Sequence, residues 1–265
     1  MSNLIRGFFF HHRGLLIASA VLFCIFQLLT CAIISSIDIP RAFDQILLFA
    51  PPAIRTLMEQ SMLGGSSAGI LAFTWNHPVT HALVIAIAIA LGARAVAGEI
   101  ENGAIELVLA QPLSRFDYLA AHIVFAIVSM AVVAFVGLLG TVAGQNIFHL
   151  PPFGWDRLLR LLANLLLLQM SFYSLTLLFS SFGRESGRVA ILSVLVAIVS
   201  LLVNVVATLW NKAAFMKPYS LHTYYEPRAI LVDGNLALSS IVVLGIFIVA
   251  ATAGAFARFL TRDVP

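Results

Sequence analysis

The chain has 265 residues, of which 61% are hydrophobic and 10% charged, and carries a formal net charge of +3; its mean hydropathy is +1.01. Soluble domains are about half apolar and about a quarter charged, so this composition excludes an ordinary soluble domain and implies an integral membrane protein. The basic residues are scattered, which argues against nucleic acid, and Cys24 and Cys31, about 10 Å apart along one apolar run, are too distant for a disulfide and match no metal spacing.

The first 14 residues, MSNLIRGFFFHHRG, can place Leu4, Ile5, Phe8 and Phe9 on one face and Arg6 and Arg13 away from it. That pattern predicts a short amphipathic helix lying in the membrane interface, the alternative being a frayed apolar terminus. Six apolar segments are then long enough to span a bilayer: 15–37, 79–97, 117–142, 158–180, 189–210 and 236–257. The first is too long for a signal peptide and is followed by no small-residue cleavage site. The second, HALVIAIAIALGARAVA, alternates like a strand, but a lone strand leaves its amides unpaired in lipid, so a helix is predicted. Between the first two spans, residues 41–62 read as two short amphipathic helices broken at Pro51–Pro52, and GGSSAG (64–69) as a flexible joint. Before the last span, residues 211–235 combine aromatics with helix-limiting prolines and read as an interface-bound, partly re-entrant connection. The fold class is thus all-α: a polytopic membrane protein with six transmembrane helices.

Phosphate loops of the Walker A type, HExxH and paired intramembrane aspartates are missing, so neither ATP hydrolysis within this chain nor a membrane protease is supported. His77 and His81 are four apart; with His77 as an N-cap, Pro78 falls at the tolerated first helical position. The same spacing suits a metal, but no third ligand is evident, and the cap is the simpler reading. His222 and Glu226 are also four apart and stand in the same balance; His11, His12 and His222 read as interfacial. Polar stripes mark several spans. Gln27, Cys31 and Ser35 share a face of the first, and Ser200, Asn204 and Thr208 share one of the fifth. Helix packing in lipid uses such residues and is the simpler reading; the alternative is a path lined mainly by the first, second and fifth spans. With no acid or base mid-span, ion coupling inside the membrane is not expected.

The stretch AGEIENGAIELVLAQPLSR, 97–115, stands out in a chain so poor in charge. On a helical period Glu99, Asn102 and Glu106 share one face, and Ile100, Ala104, Leu107 and Val108 another. Pro112 ends the helix, and Ser114 with Asp117 makes a capping-box-like start for the third span. The arginines of the tight turn SFGRESGR and at the ends of the first and last spans favour both termini inside, which puts this stretch in the cytoplasm. It is either a solvated hairpin or a docking helix.

The pattern Glu99, Glu101, Gly103, Glu106, Leu107, Leu109, Pro112, Ser114, Arg115 resembles the cytoplasmic hairpin of ABC-2 type permeases, in which an acidic E-x-E-x-G is followed by a Leu-rich turn and P-[LV]-S-R. Six spans, a leading interface helix and a structured segment before the last span are similar too. The pattern also resembles permeases with a long first outer loop, such as that of the nitrous-oxide-reductase maturation transporter, although Ala121–His122 stands where the family often has Gly-Lys. The resemblance implies a membrane subunit without catalysis or cofactor of its own, dimerising with a second permease copy. ATP and Mg would be bound by a separate pair of ABC ATPase subunits docked on 97–115, with Glu99, Glu101, Asn102, Gly103, Glu106 and Arg115 as coupling residues. It further implies an exporter in a bacterial inner membrane. Two other classes are weighed against it: a mechanical transmitter acting on an extracytoplasmic partner through 38–78 and 211–235, and a membrane enzyme or scaffold unrelated to ATP. The weakly polar stripes suit lipids, hydrophobic peptides or drugs alike.

Overall fold

A chain this apolar satisfies its amides within its own segments, and among the described residues every regular element is helical. The computed structural model describes residues 2–37, 41, 45, 48–51, 55, 67–103 and 114–262. The expected helices over 41–62 fall mostly outside these, as does part of the 64–69 joint.

The elements are α1 (Ser2–Ser36), α2 (Ser67–Trp75), α3 (Pro78–Ala93, prolonged by a π-helical turn Arg94–Gly98 and a last turn Glu99–Glu101), α4 (Arg115–Ile147), α5 (Trp155–Phe182) and α6 (Ser186–Leu209). Two 3-10 segments, Asn211–Tyr219 and Leu221–Tyr224, precede α7 (Pro227–Leu231) and α8 (Leu238–Thr261). Six helices are long and apolar enough to cross a membrane. The predicted spans are all present.

Two expectations are corrected. The first 14 residues are not a separate helix: α1 runs unbroken from Ser2 to Ser36. At 1.5 Å per residue it is about 50 Å long, well beyond a hydrocarbon core of about 30 Å, so its first turns can leave the apolar layer without a kink. These turns pack on α4, with the Phe8 ring 4.0 Å from that of His122 and Phe9 4.8 Å from Phe125. Of the joint before the second span, residues 67–69 instead begin α2, whose Leu71, Ala72 and Trp75 are buried.

α5 occupies the middle of the bundle, touching α3, α4, α6 and α8. The most extensive single contact is α1 on α4. It rests on a signal the polar-stripe reading passed over, the GxxxG pair Gly140 and Gly144 on α4. A Cβ at Gly140 would lie 2.5 Å from the carbonyl oxygen of Cys24, and one at Gly144 2.6 Å from Cβ of Cys31. Only glycine lets the two backbones come this close. The core between these layers is aromatic, with Phe23, Trp75, Tyr118, Phe172 and Tyr173 fully enclosed. By contrast α6 and α8 expose much of their length, including Ile191, Leu195, Ile198, Ile246 and Val249.

Candidate functional site

One end of the bundle carries the first turns of α1, the last turn of α8, the turn after α3 and the turn between α5 and α6. The helix of α3 reaches Glu101 because its ladder shifts register at Arg94–Gly98. The cause is Ser180 of α5: its hydroxyl accepts from the amides of Val96 and Ala97 (3.2 and 2.8 Å) and donates to the carbonyl of Ala93 (3.0 Å). A side chain inserted into the ladder in this way holds a π-turn open. Asn102 then caps the helix and Gly103 leaves it at φ +66°, the left-handed conformation that glycine adopts without strain. Of the expected helix over 97–115, the described part ends its last turn at Glu101. A Cβ at Gly103 would meet nothing within 4 Å among the described residues, so within this chain it is backbone freedom that calls for glycine. Glu106 itself lies outside the described residues.

The sequence-predicted coupling residues divide by what they touch. Glu101 is exposed, yet its carboxylate accepts from both the amide (2.8 Å) and the hydroxyl (2.6 Å) of Ser186, the first residue of α6. It holds a helix N-terminus, where negative charge is favoured. Glu99 is half-buried and lines a polar cavity of about 330 Å³ with His11, His12 and Arg94. Asn102 and Gly103 are exposed. Arg115 donates to the carbonyls of Arg262 (2.6 Å) and Phe259 (3.3 Å) at the end of α8. Arg262 in turn donates to the carbonyls of Ser181 and Gly183 at the end of α5, both at 2.9 Å. Cations at helix C-termini complement the dipole and the unpaired carbonyls there. Ser114 caps α4 as its spacing predicts, accepting from the amide of Asp117 at 3.0 Å. The turn after α3 is therefore fastened to α6, and the start of α4 to α8 and through it to α5. Sequence reasoning missed Ser180 and Arg262, whose partners lie about 80 residues away.

At the opposite end, residues 210–237 form a cap over α5, α6 and α2. Asn164 of α5 donates to the carbonyl of Tyr224 (2.9 Å) and accepts from the amide of Glu226 (3.1 Å). Arg157 donates to the carbonyls of Leu231 and Val232, and Arg160 to that of Gly234. Tyr225 donates to the carbonyl of Trp75 at 3.2 Å. Ser200 of α6 is 2.9 Å from Nδ1 of His222, accepts from the amide of Leu221, and its carbonyl accepts from Ser220. His222 is thus buried within the protein, and burial, aided by the His81 ring 5.0 Å away, pushes its pKa down to about 3. His77 is the N-cap of α3, accepting from Val79 at 3.2 Å, with Pro78 behind it. His81 pairs with Asn76 at 2.9 Å. Among the described residues no group of three His, Cys, Asp or Glu side chains could hold a metal ion.

The path-lining candidates are not brought together. Gln27 and Cys31 are sealed between α1, α2 and α4, Gln27 accepting from Thr74 (3.1 Å) and Thr141 (3.4 Å). Ser35 is exposed near the end of α1. Asn204 accepts from Thr223 (3.0 Å) and, with Thr208, lines a polar cavity of about 600 Å³ under the 210–237 cap. Ser200 sits at its edge, bound to His222.

Six spanning helices, the acidic turn after α3 and a structured cap before the last span are the features of one family of membrane subunits, and a comparison of the whole sequence decides the matter: the family described as ABC-2 family transporter protein matches residues 12–264. The chain belongs to the ABC-2 transporter family. No curated protein and no solved structure gives a match. The protein is thus a multi-pass permease subunit of an ABC transporter, and family membership implies ABC ATPases as its partners.

Proposed function

We propose that this permease is an exporter subunit of a bacterial inner membrane, working as a dimer, with both termini cytoplasmic and the turn after α3 as the place where a separate ATPase pair delivers its stroke. One observation carries the reading: the turn region is tied by charged side chains to the ends of α6, α8 and α5. A push on residues 99–115 is thereby shared by α3, α4, α5, α6 and α8 instead of bending one hairpin. Glu99, Asn102, Gly103 and Glu106 meet the ATPase, whereas Glu101 and Arg115 transmit what they receive. ATP and Mg belong to the ATPase chains.

Pull-down of the ATPase with solubilised permease, followed by turnover in the reconstituted complex, separates these roles. Glu99→Arg with Glu106→Arg should weaken ATPase binding, since like-charge juxtaposition adds repulsion to lost attraction. Glu101→Ala should leave binding near normal and lower stimulated turnover. Normal binding and turnover in both variants would reduce the turn to a solvated hairpin. Cysteine labels at Asn102 and Asp233 check the orientation: Asp233 should react from outside, Asn102 only once the inner face is opened.

A mechanical transmitter without a moving solute has its own support in α5. That helix receives Arg262 at one end and holds Tyr224, Glu226 and Val232 through Asn164 and Arg157 at the other. A single rod linking both faces suits force delivered to an extracytoplasmic partner. Co-purification of such a partner, with no solute flux in vesicles, would favour it over export.

A further inference from the structure

Between α3 and α6 the bundle leaves a groove of about 340 Å³, lined by Ala82, Ile85, Ala86, Ile89 and Ile198, with His81 and His222 also in its wall. The alanines and Ile198 are exposed, so the groove opens sideways from spanning helices, where the surrounding medium is hydrocarbon. His222 also lines the polar cavity under the cap, where Lys217 and Arg228 stand with Glu226 and Asp233 and bring both signs of charge. That cavity begins at the start of α3, the end of the apolar run, which is headgroup depth for a molecule lying along the groove. Each cavity lies within the roughly 300–1,000 Å³ of small-molecule sites. A further observation points to an occupant: His81, 3% exposed and lining the groove, has a buried Nδ1 without a hydrogen-bond partner.

We propose that the α3–α6 groove and the polar cavity, which meet at His222, together bind one zwitterionic phospholipid, its acyl chain along Ala82, Ala86 and Ile198 and its headgroup between Lys217 and Glu226. An uncharged drug would leave the paired signs of charge unused, and an anionic lipid would answer Lys217 and Arg228 but leave Glu226 and Asp233 without a cation. A phospholipid with an ammonium and a phosphate answers both. The site depends on the spans lying in a membrane and not on the ATPase coupling proposed above, so it is measured on the permease alone.

The test places the full chain in nanodiscs of equal parts phosphatidylethanolamine and phosphatidylglycerol, then counts retained lipid by native mass spectrometry after mild detergent extraction. One phosphatidylethanolamine per chain should remain, at least tenfold over phosphatidylglycerol. Ala86→Trp, and independently Ala82→Phe, should lower its retention about tenfold, with Ile246→Trp on the exposed face of α8 as the control without effect. Lys217→Gln with Glu226→Gln should bring the two lipids to near-equal retention. No retained lipid, or equal retention in the groove and control variants, overturns the proposal. Disulfide formation between Ala86→Cys of two copies would also overturn it, showing that a second chain fills the groove. Melting temperatures of the variants identify any loss that comes from misfolding.

Discussion

The first and fifth spans carry polar stripes that look alike on a helical wheel, yet they meet different surroundings. Gln27 and Cys31 of α1 are sealed against α4, where Gly140 and Gly144 bring the backbones together, and Thr74 and Thr141 close over the Gln27 amide oxygen. Ser200 and Asn204 of α6 face a short-range cap of 3-10 turns that leaves a polar cavity beside them. The difference lies in the partner. A long regular helix with glycines offers a flush surface that excludes everything else. A broken segment with prolines touches at intervals and leaves space.

That contrast is open to direct attack. The largest effect should come from Gly140→Leu, whose side chain would have to displace the Cys24 backbone; overpacking costs about 1–3 kcal/mol even where only side chains must move, so loss of the monodisperse folded protein on size exclusion is expected. Survival of that variant with an unchanged melting point would show that α1 and α4 are not flush. Next, Ser200→Ala removes the partner of His222 Nδ1 and of the Leu221 amide, and a buried polar group left unpaired costs about 1–3 kcal/mol. A melting temperature within error of wild type would mean that the cap is held by other contacts.

A pH dependence follows from the same cluster. His222 is held neutral when folded, with a pKa near 3, against an ordinary value of 6.5. Between these values the unfolded chain binds the extra proton, so stability is full above pH 6.5 and declines as pH falls toward 3. His222→Gln should flatten the acid limb of melting temperature against pH; an unchanged slope would place the acid sensitivity elsewhere. Asn204→Leu should alter stimulated turnover while the permease still assembles, because it changes a cavity wall more than a helix seam. The smallest effect should belong to Gln27→Met, which fills a similar shape. The Gln27 Nε2 is buried without a partner, so replacing the amide relieves one unpaired group while two threonines lose a shared acceptor, and Thr74 keeps its bond to the Leu71 carbonyl. A shift in melting free energy within about 1 kcal/mol is expected, and a large loss would make Gln27 a structural keystone.

Composition and run length alone determined the all-α class, the six spans and their approximate limits, because a backbone in hydrocarbon has no alternative to the helix. Local chemistry also read correctly at His77, Pro78 and Ser114, where cap and capped amide lie within three residues of each other. What the tertiary structure decided depends on residues distant in sequence. Ser180 opens the π-turn of α3, Glu101 caps α6, and Arg262 caps α5, each across about 80 residues. Periodicity ranks faces by polarity but is blind to which partner will cover them, so it could not tell the sealed Gln27 from the cavity-lining Asn204. Nor could it foresee that Gly103 would adopt φ +66°, since a left-handed glycine and a helical one are written with the same letter.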